Sequence, residues 1–410
     1  MGAEKETTTY ADLSEELMMQ ILLRLSIKSM LRFKTVCRSW HSVFDSSFFI
    51  ERHLHFVDAN TTYDYLLVNQ NIKVVDSVIP LALLSTSTKQ IVDIKDPLCP
   101  YPDGEYSSSH VRGPVNGIYC INIEYDNFDE MFVFWSPGHR QFHVVPPCPL
   151  EESDPITGIG FGLDTSKNSY KVITIQEIDL YSTYFYLYNL ETNSWKELDL
   201  HEIMDDSLKK GKEPTNGSNE LHWDQYVNKF DGVYLNGSCH WMMVRSGSIL
   251  SFDMETEVFR LSSEPQMIFP GWVISMLTIV NRCLAVICVI EPQGIAISQK
   301  MSRVFDVCLM KEYGVEESWT RAYTITLSSS SPGRFLGIIG HEFFVLEKQE
   351  SSENENENKR LKVVSYHLGA PQEGRYNEYC SVPWPINYYG GQRIFLFMET
   401  IVSIKPKIQC

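Results

Sequence analysis

Ten cysteines, eleven histidines and fifty-two carboxylates give this chain of 410 residues the raw material for metal binding, nucleophilic attack or proton transfer. Their spacing supports none of these. The cysteines stand at 37, 99, 120, 148, 239, 283, 288, 308, 380 and 410, with no C-x-x-C pair. Zinc needs clustered ligands, so reduced thiols in or near a core are predicted. The histidines are spread singly, and His240 and His341 are expected on strands in structural roles. The paired acids Glu151-Glu152, Asp205-Asp206 and Glu316-Glu317 sit beside turn signals, where carboxylates are ordinarily solvated. Gly158-Ile-Gly-Phe-Gly162 has the glycines of a phosphate loop but not the G-x-G-x-x-G spacing or a following helix, and reads as a strand. No G-x-S-x-G, H-E-x-x-H, P-loop or EF-hand loop is present. No catalytic residue, metal site or cofactor is therefore expected.

Binding chemistry remains, and it concentrates at the amino end. Asp12 is suited to cap a helix, with Glu15 three residues on completing a capping-box pattern. Leu13, Leu17, Met18, Ile21, Leu22 and Leu25 then recur at helical spacing. Ser26-Ile27-Lys28-Ser29 breaks that pattern. A second short helix is expected from Met30 to Thr35, carrying Leu31 and Phe33, and a third with Val36, Cys37, Trp40 and Val43. Ser47 is placed to cap a last turn holding Phe48, Phe49 and Ile50. So short a segment cannot bury this many large apolar groups within itself, so part of its surface must dock elsewhere. Lys28, Arg32, Lys34 and Arg38 make one side basic, which suits an acidic partner.

The net charge of −17 falls entirely outside this segment. Residues 1–56 balance seven basic against seven acidic side chains, while the remainder carries 28 basic and 45 acidic. Such a field repels nucleic acid and favours basic partners. No run reaches the roughly 18 apolar residues of a membrane span. Met1 to Tyr10 lack the apolar core of a secretory signal. The expected location is the cytosol, with the nucleus also open.

From about residue 60 the texture becomes short β-rich runs punctuated by Gly, Asn and Pro. One recurring element is a strand, a polar turn and a second strand starting near an aromatic: Phe132 to Phe142, Phe185 to Trp195, Ile249 to Phe259, Phe305 to Trp319 and, more weakly, Lys362 to Leu368. Their turns recur every 53–64 residues or so. A second element precedes several of them, as Val115-Asn-Gly-Ile-Tyr-Cys120, Leu235-Asn-Gly-Ser-Cys-His-Trp241, Val280-Asn-Arg-Cys-Leu-Ala285 and Ile339-Gly-His-Glu-Phe-Phe344. Asn-Gly is the preferred type I′ pair because both positions need positive φ. Four antiparallel strands per unit at this period predict a β-propeller of about six blades, with a β-sandwich as the competing architecture. Arg393 to Ile404 is expected to pair near Tyr65–Val68 and close the ring. The polar stretch 201–228 and the low-complexity stretch 349–360 fit no blade; the first reads as a solvated insertion, the second as a disordered hairpin tip.

The run Asp12-Leu-Ser-Glu-Glu-Leu-Met-Met-Gln-Ile-Leu-Leu-Arg-Leu-Ser-Ile-Lys-Ser-Met-Leu-Arg-Phe-Lys-Thr-Val-Cys-Arg-Ser-Trp-His-Ser-Val43 closely resembles the F-box. That three-helix motif binds the Skp-type adaptor of an SCF (Cullin-RING) ubiquitin ligase. The resemblance covers about residues 10–52 and implies that Leu13, Leu17, Ile21, Leu22, Leu25, Lys28, Leu31, Phe33, Val36, Cys37 and Trp40 make up the adaptor-binding set, core positions among them. The family has Leu-Pro where this chain has Leu13-Ser14 and Leu25-Ser26, so two boundaries lose a residue with fixed φ.

Gly113-Pro-Val-Asn-Gly-Ile-Tyr-Cys120, Trp135-Ser-Pro-Gly-His-Arg-Gln-Phe142, Gly160-Phe-Gly-Leu-Asp-Thr-Ser-Lys-Asn-Ser-Tyr-Lys-Val172, Asn236 to Trp241, Ile249 to Asp253, Glu317 to Thr320 and the tail Glu399-Thr-Ile-Val-Ser-Ile404 resemble the F-box-associated, kelch-type domain of plant F-box proteins. The S-locus F-box-like branch, whose pollen members target S-ribonucleases, is the nearest in pattern. The chain is thus expected to be an α+β two-domain protein: a disordered start over 1–9, a three-helix F-box over 10–55, and an all-β propeller over 60–405. The resemblance implies a non-catalytic substrate receptor that reaches cullin and RING subunits through the adaptor and captures a protein target. The competing reading is a propeller enzyme or binding module outside any ligase, with an incidental helical cap.

Overall fold

The computed structural model describes residues 14–60, 64–69, 81–95, 106–125, 130–149, 156–177, 183–199, 232–243, 247–262, 272–290, 304–327, 334–348, 361–369, 376–382 and 393–404. Four helices, not three, open the chain: α1 (Glu15–Leu23), α2 (Ile27–Lys34), α3 (Arg38–Asp45) and α4 (Ser47–Asn60). Ser14 caps α1, its Oγ accepting from the Leu17 amide at 3.3 Å. Asp12, expected in that role, lies outside the described residues. Ser26 caps α2 the same way, accepting from the Ser29 amide at 3.3 Å, so this helix begins at Ile27 rather than Met30. The two serines that replace the family's prolines thus start helices by satisfying a free amide, a contribution of about 1 kcal/mol each. The expected last turn after Ser47 is a fourteen-residue helix. Its cap is Ser46, which accepts from the Phe49 amide at 3.2 Å.

Six four-stranded antiparallel sheets follow. The first joins β1 (Tyr65–Asn69), β2 (Leu81–Ser85) and β3 (Ile91–Lys95) to the last strand of the chain. The second holds β4 (Tyr106–Val115), β5 (Ile118–Tyr125), β6 (Glu130–Ser136) and β7 (Gln141–Val144). The third holds β8 (Ile156–Asp164), β9 (Ser169–Glu177), β10 (Thr183–Asn189) and β11 (Ser194–Glu197). The fourth is β12 (Val233–Leu235), β13 (Ser238–Met242), β14 (Ile249–Asp253) and β15 (Phe259–Ser262). The fifth is β16 (Trp272–Val280), β17 (Cys283–Ile290), β18 (Val304–Met310) and β19 (Trp319–Thr326). The sixth is β20 (Arg334–Ile339), β21 (Glu342–Lys348), β22 (Leu361–His367) and β23 (Tyr376–Val382). Finally β24 (Arg393–Leu396) pairs with β1, Leu67 opposite Phe395, and completes the first sheet. Only residues 393–396 of the expected closing strand are extended in a ladder; 397–404 run on as a tail. The innermost strands β4, β8, β12, β16, β20 and β24 touch in sequence around a closed circle, so the architecture is a six-bladed propeller.

The Asn-Gly pairs behave as their chemistry requires. Asn116 and Gly117 have φ of 52° and 80°, and Asn236 and Gly237 have 50° and 82°. Each joins the innermost strand of a blade to its neighbour. His341 lies in the equivalent turn of the sixth blade rather than on a strand. The glycines of Gly158-Ile-Gly-Phe-Gly162 lie on β8, and Gly160 and Gly162 make room for rings of the next blade. A Cβ on Gly160 would sit 2.6 Å from the Trp241 ring, and one on Gly162 would sit 2.5 Å from the Tyr234 ring. Those rings hydrogen-bond back across the blade boundary, Trp241 Nε1 to the Ile159 carbonyl at 3.2 Å and Tyr234 Oη to the Leu163 carbonyl at 2.9 Å. Aromatic side chains thus bind one blade to the preceding one through both packing and polar contacts.

Candidate functional site

The helical module builds its core from Leu22, Leu23, Ile27, Met30, Phe44 and Phe49. An aromatic series runs through it, with Phe33 on Trp40 at 5.9 Å, Trp40 on Phe44 at 5.9 Å and Phe44 against Phe49 at 5.0 Å. The residues that chemistry singled out divide between this core and the surface. Leu22 is buried, and Leu25, Leu31 and Trp40 pack partly against the core. Leu17 and Ile21, one turn apart on α1, are 52% and 51% exposed. Phe33 at the end of α2 and Val36 just beyond it are also exposed, as are Lys28 and Cys37. Leu13 lies outside the described residues. Two further exposed apolar groups escaped the sequence reading of the surface: Met18, and Phe48 on α4, whose ring lies 5.5 Å from the Arg52 guanidinium. Arg52 also reaches Glu16 on α1 at 3.2 Å, which ties α4 to the exposed side of α1.

Exposed Arg32 and Arg38 flank Phe33 and Val36, while Lys34 is engaged by Asp45. The surface therefore pairs a hydrophobic strip with basic groups at its edge, and its described ion pairs are those of Asp45 with Lys34 and His41 and of Glu16 with Arg52. Among the described residues no group of three metal-ligating side chains occurs. Large apolar groups left in water are unfavourable, by roughly 25 cal/mol per Å². Six of the ten exposed large hydrophobics among the described residues fall in this module.

The module is fixed to the propeller by the tail after β24. Thr400 Oγ1 donates to the Asn116 carbonyl at 2.7 Å, Ser136 Oγ to the Val402 carbonyl at 3.1 Å, and the Met398 amide to Tyr119 Oη at 2.9 Å. Ile404 packs into the core between the second and third blades, while Ile401, 1% exposed, packs into the helical core. The tail lies close against two glycines: a Cβ on Gly117 would meet the Thr400 side chain at 2.5 Å, and one on Gly138 the Thr400 carbonyl at 2.5 Å. Asp58 on α4 pairs with Arg282 in the β16–β17 turn. All these contacts lie on one propeller face, where innermost strands turn into second strands and third into outermost. The ends of the strands flanking 201–228 and 349–360 lie on the opposite face; those two segments themselves are outside the described residues.

Two blades share a buried ionic node that the sequence reading missed. Lys171 on β9, fully buried, donates to Asp164 Oδ2 at 2.7 Å, to the Met254 carbonyl at 2.6 Å and to Glu257 Oε1 at 2.9 Å. Burial pushes the Asp164 carboxyl up, but hydrogen bonds from Lys171, Ser166 and the Lys167 amide outweigh it and hold the group below its usual range. The node is fully satisfied and acts as a fastener between the third and fourth blades.

The model for the F-box domain matches residues 11–52, and that for the F-box associated beta propeller domain matches residues 66–369. An F-box/kelch-repeat protein of Arabidopsis thaliana is 25% identical over 324 residues, covering 76% of this chain and 78% of that protein. The F-box protein CPR1 of Arabidopsis thaliana is 24% identical over 341 residues, covering 77% and 73%.

Proposed function

Because this chain belongs to the F-box proteins that carry an F-box associated beta-propeller domain, we propose that it is the substrate-recognition subunit of an SCF ubiquitin ligase. The observation that carries this reading is the exposed strip of Leu17, Ile21, Phe33, Val36 and Phe48, edged by Lys28, Arg32 and Arg38. In this reading the strip docks a Skp-type adaptor, which links the chain to cullin and RING subunits. The propeller, held in a fixed orientation by the tail, presents its opposite face to a protein target. Tethering raises the concentration of target lysines near the ubiquitin carrier, so the receptor needs no catalytic group of its own. The acidic propeller favours basic targets, and the cytosol and nucleus are where it acts. The S-locus-like pattern of the scaffold motifs extends the proposal to S-ribonucleases in pollen, a step tested by pull-down of the ribonuclease from style extract.

The decisive experiment is co-expression of the full chain with a Skp-type adaptor, beside the double variant Leu17→Asp/Ile21→Asp. The wild type is expected to co-purify in equal amounts. The variant should lose at least a hundredfold in affinity while keeping its circular dichroism and thermal transitions, because two charges would enter an apolar contact. Normal co-purification of the variant, or failure of folded wild type to bind, sinks the proposal.

A further inference from the structure

The six innermost strands enclose an axial channel of about 650 Å³. Much of its wall is backbone and aliphatic side chain, Leu336, Ile338 and Ile394 among them. Its charged lining residues are Asp58, Arg282, Arg112 and Arg393. Asp58 and Arg282 neutralise each other at the mouth beneath the helical module. Arg112 and Arg393 are the two cationic side chains further in, within a protein of net charge −17.

Arg112 is only 5% exposed, and none of its three guanidinium nitrogens has a hydrogen-bond partner. Glu130 influences it at longer range, but that carboxylate accepts from Asn122 Nδ2 at 2.7 Å. An uncompensated buried guanidinium is strongly unfavourable, and arginine does not escape by losing its proton. The contrast with Lys171 is direct: one buried cation of this propeller has three partners at 2.6–2.9 Å, the other has none. The backbone beside Arg112 is specialised as well. The β4–β5 register shifts between Arg112 and Val115, a bulge containing Gly113 at φ 101°, and bulges re-aim the side chains next to them. Arg393 shares the cavity; burial and the neighbouring Arg112 charge lower it to about 9.

We propose that the axial channel is a binding site for a small-molecule oxyanion, a compound bearing a carboxylate or phosphate group, gripped by Arg112 with Arg393 as the second cation. The planar N–H fork of a guanidinium matches two oxygens of such a group, and a compact apolar remainder fits the aliphatic wall. The volume lies within the roughly 300–1,000 Å³ usual for small-molecule sites. The site stands independently of the ligase reading, since the adaptor strip lies elsewhere on the chain.

The test uses the full chain without adaptor. Calorimetric unfolding is recorded in inorganic phosphate and in citrate, each against sodium chloride at equal ionic strength. At least one of the two anions should raise the transition of the wild type by several degrees through ligand linkage. Arg112→Met should abolish that shift and leave the ligand-free protein as stable as the wild type or more so, because it removes an uncompensated charge. Arg112→Lys should bind at least tenfold more weakly, and Arg321→Gln, on the outermost strand of the fifth blade, should behave as wild type. Three outcomes overturn the proposal. The wild type shows no shift with either anion; or Arg112→Met shifts as the wild type does, which leaves an adventitious ion only; or Arg112→Met is less stable than the wild type or unfolded, which makes Arg112 a structural group.

Discussion

Residues 14–60 keep six large apolar side chains exposed, whereas the described residues of the much longer propeller keep four. The difference lies in closure. Each blade is covered on both sides by its neighbours, and β24 closes the ring against β1. The helical module has one core and no second layer. Its inner side is completed by Ile401 from the tail, and its outer side carries the exposed apolar groups. The contrast appears within one turn of α1, where Ile21 is 51% exposed and its neighbour Leu22 is 4% exposed. The propeller thus covers its own apolar surface, while the helical module borrows part of its core from the propeller's tail and leaves apolar groups exposed.

The largest effect should come from breaking that adjacency. Leu22→Asp puts a carboxylate into the core of the module and should cost it more than about 4 kcal/mol, enough to unfold it locally. Hydrogen exchange should show protection lost over α1–α4 and kept in the propeller strands. Ile21→Asp, one residue away, should keep that protection and weaken adaptor binding alone. Equal behaviour of the two variants would erase the distinction between core and docking surface.

Next in size is the ionic node of the propeller. Lys171→Met leaves Asp164 buried without its cation and should lower the propeller transition by about 3–5 kcal/mol. Adding Asp164→Asn should recover part of that loss, and a double-mutant cycle would measure the coupling. The helical module should not respond. Ile401→Ala works at the junction. It should cost about 3 kcal/mol, raise hydrogen exchange in α1 and α2, and leave the blades protected. If exchange is unchanged, the tail is not what completes the helical core.

The propeller was legible because its signals are local. Asn-Gly turns need positive φ, and an aromatic after a polar turn marks the outer hairpin, as in Tyr188 opposite Trp195. The closing strand was legible from its unpaired apolar run. Helix boundaries were harder, because Ser14 competes as a cap with nearby Asp12, and Ser26 lies in a stretch that breaks the apolar pattern, so only the backbone decides. The extent of α4 was hidden because Glu51-Arg52-His53 looks solvated, yet His53 is buried against Phe49. Leu17 and Leu22 belong to one stripe on paper, and their different fates depend on where α4 and the tail pack. Arg112 and Lys171 were invisible for the same reason: a cation's burial is set by which blades meet around it, and nothing in its neighbours along the chain records that.

The smallest effect, and one that reads both regions at once, is the response to acid. His53 in the helical core and His240 on β13 are both buried, and burial lowers each to about 4 from an ordinary 6.5. Between those values the unfolded chain holds a proton that the folded chain lacks, so stability is fully present above pH 6.5 and falls as pH drops toward 4. Each histidine should remove about 2 kcal/mol between pH 7 and pH 5. The two losses belong to different regions. His53→Phe should flatten the acid slope of the helical module, followed by exchange in α1–α4, and leave the slope of the propeller as it was. His240→Phe should do the reverse, after allowing for its lost contact with Tyr313 Oη at 2.9 Å. If either substitution flattens both slopes, the tail couples the two regions into one cooperative unit, and the division between a self-covered propeller and a separate helical module fails.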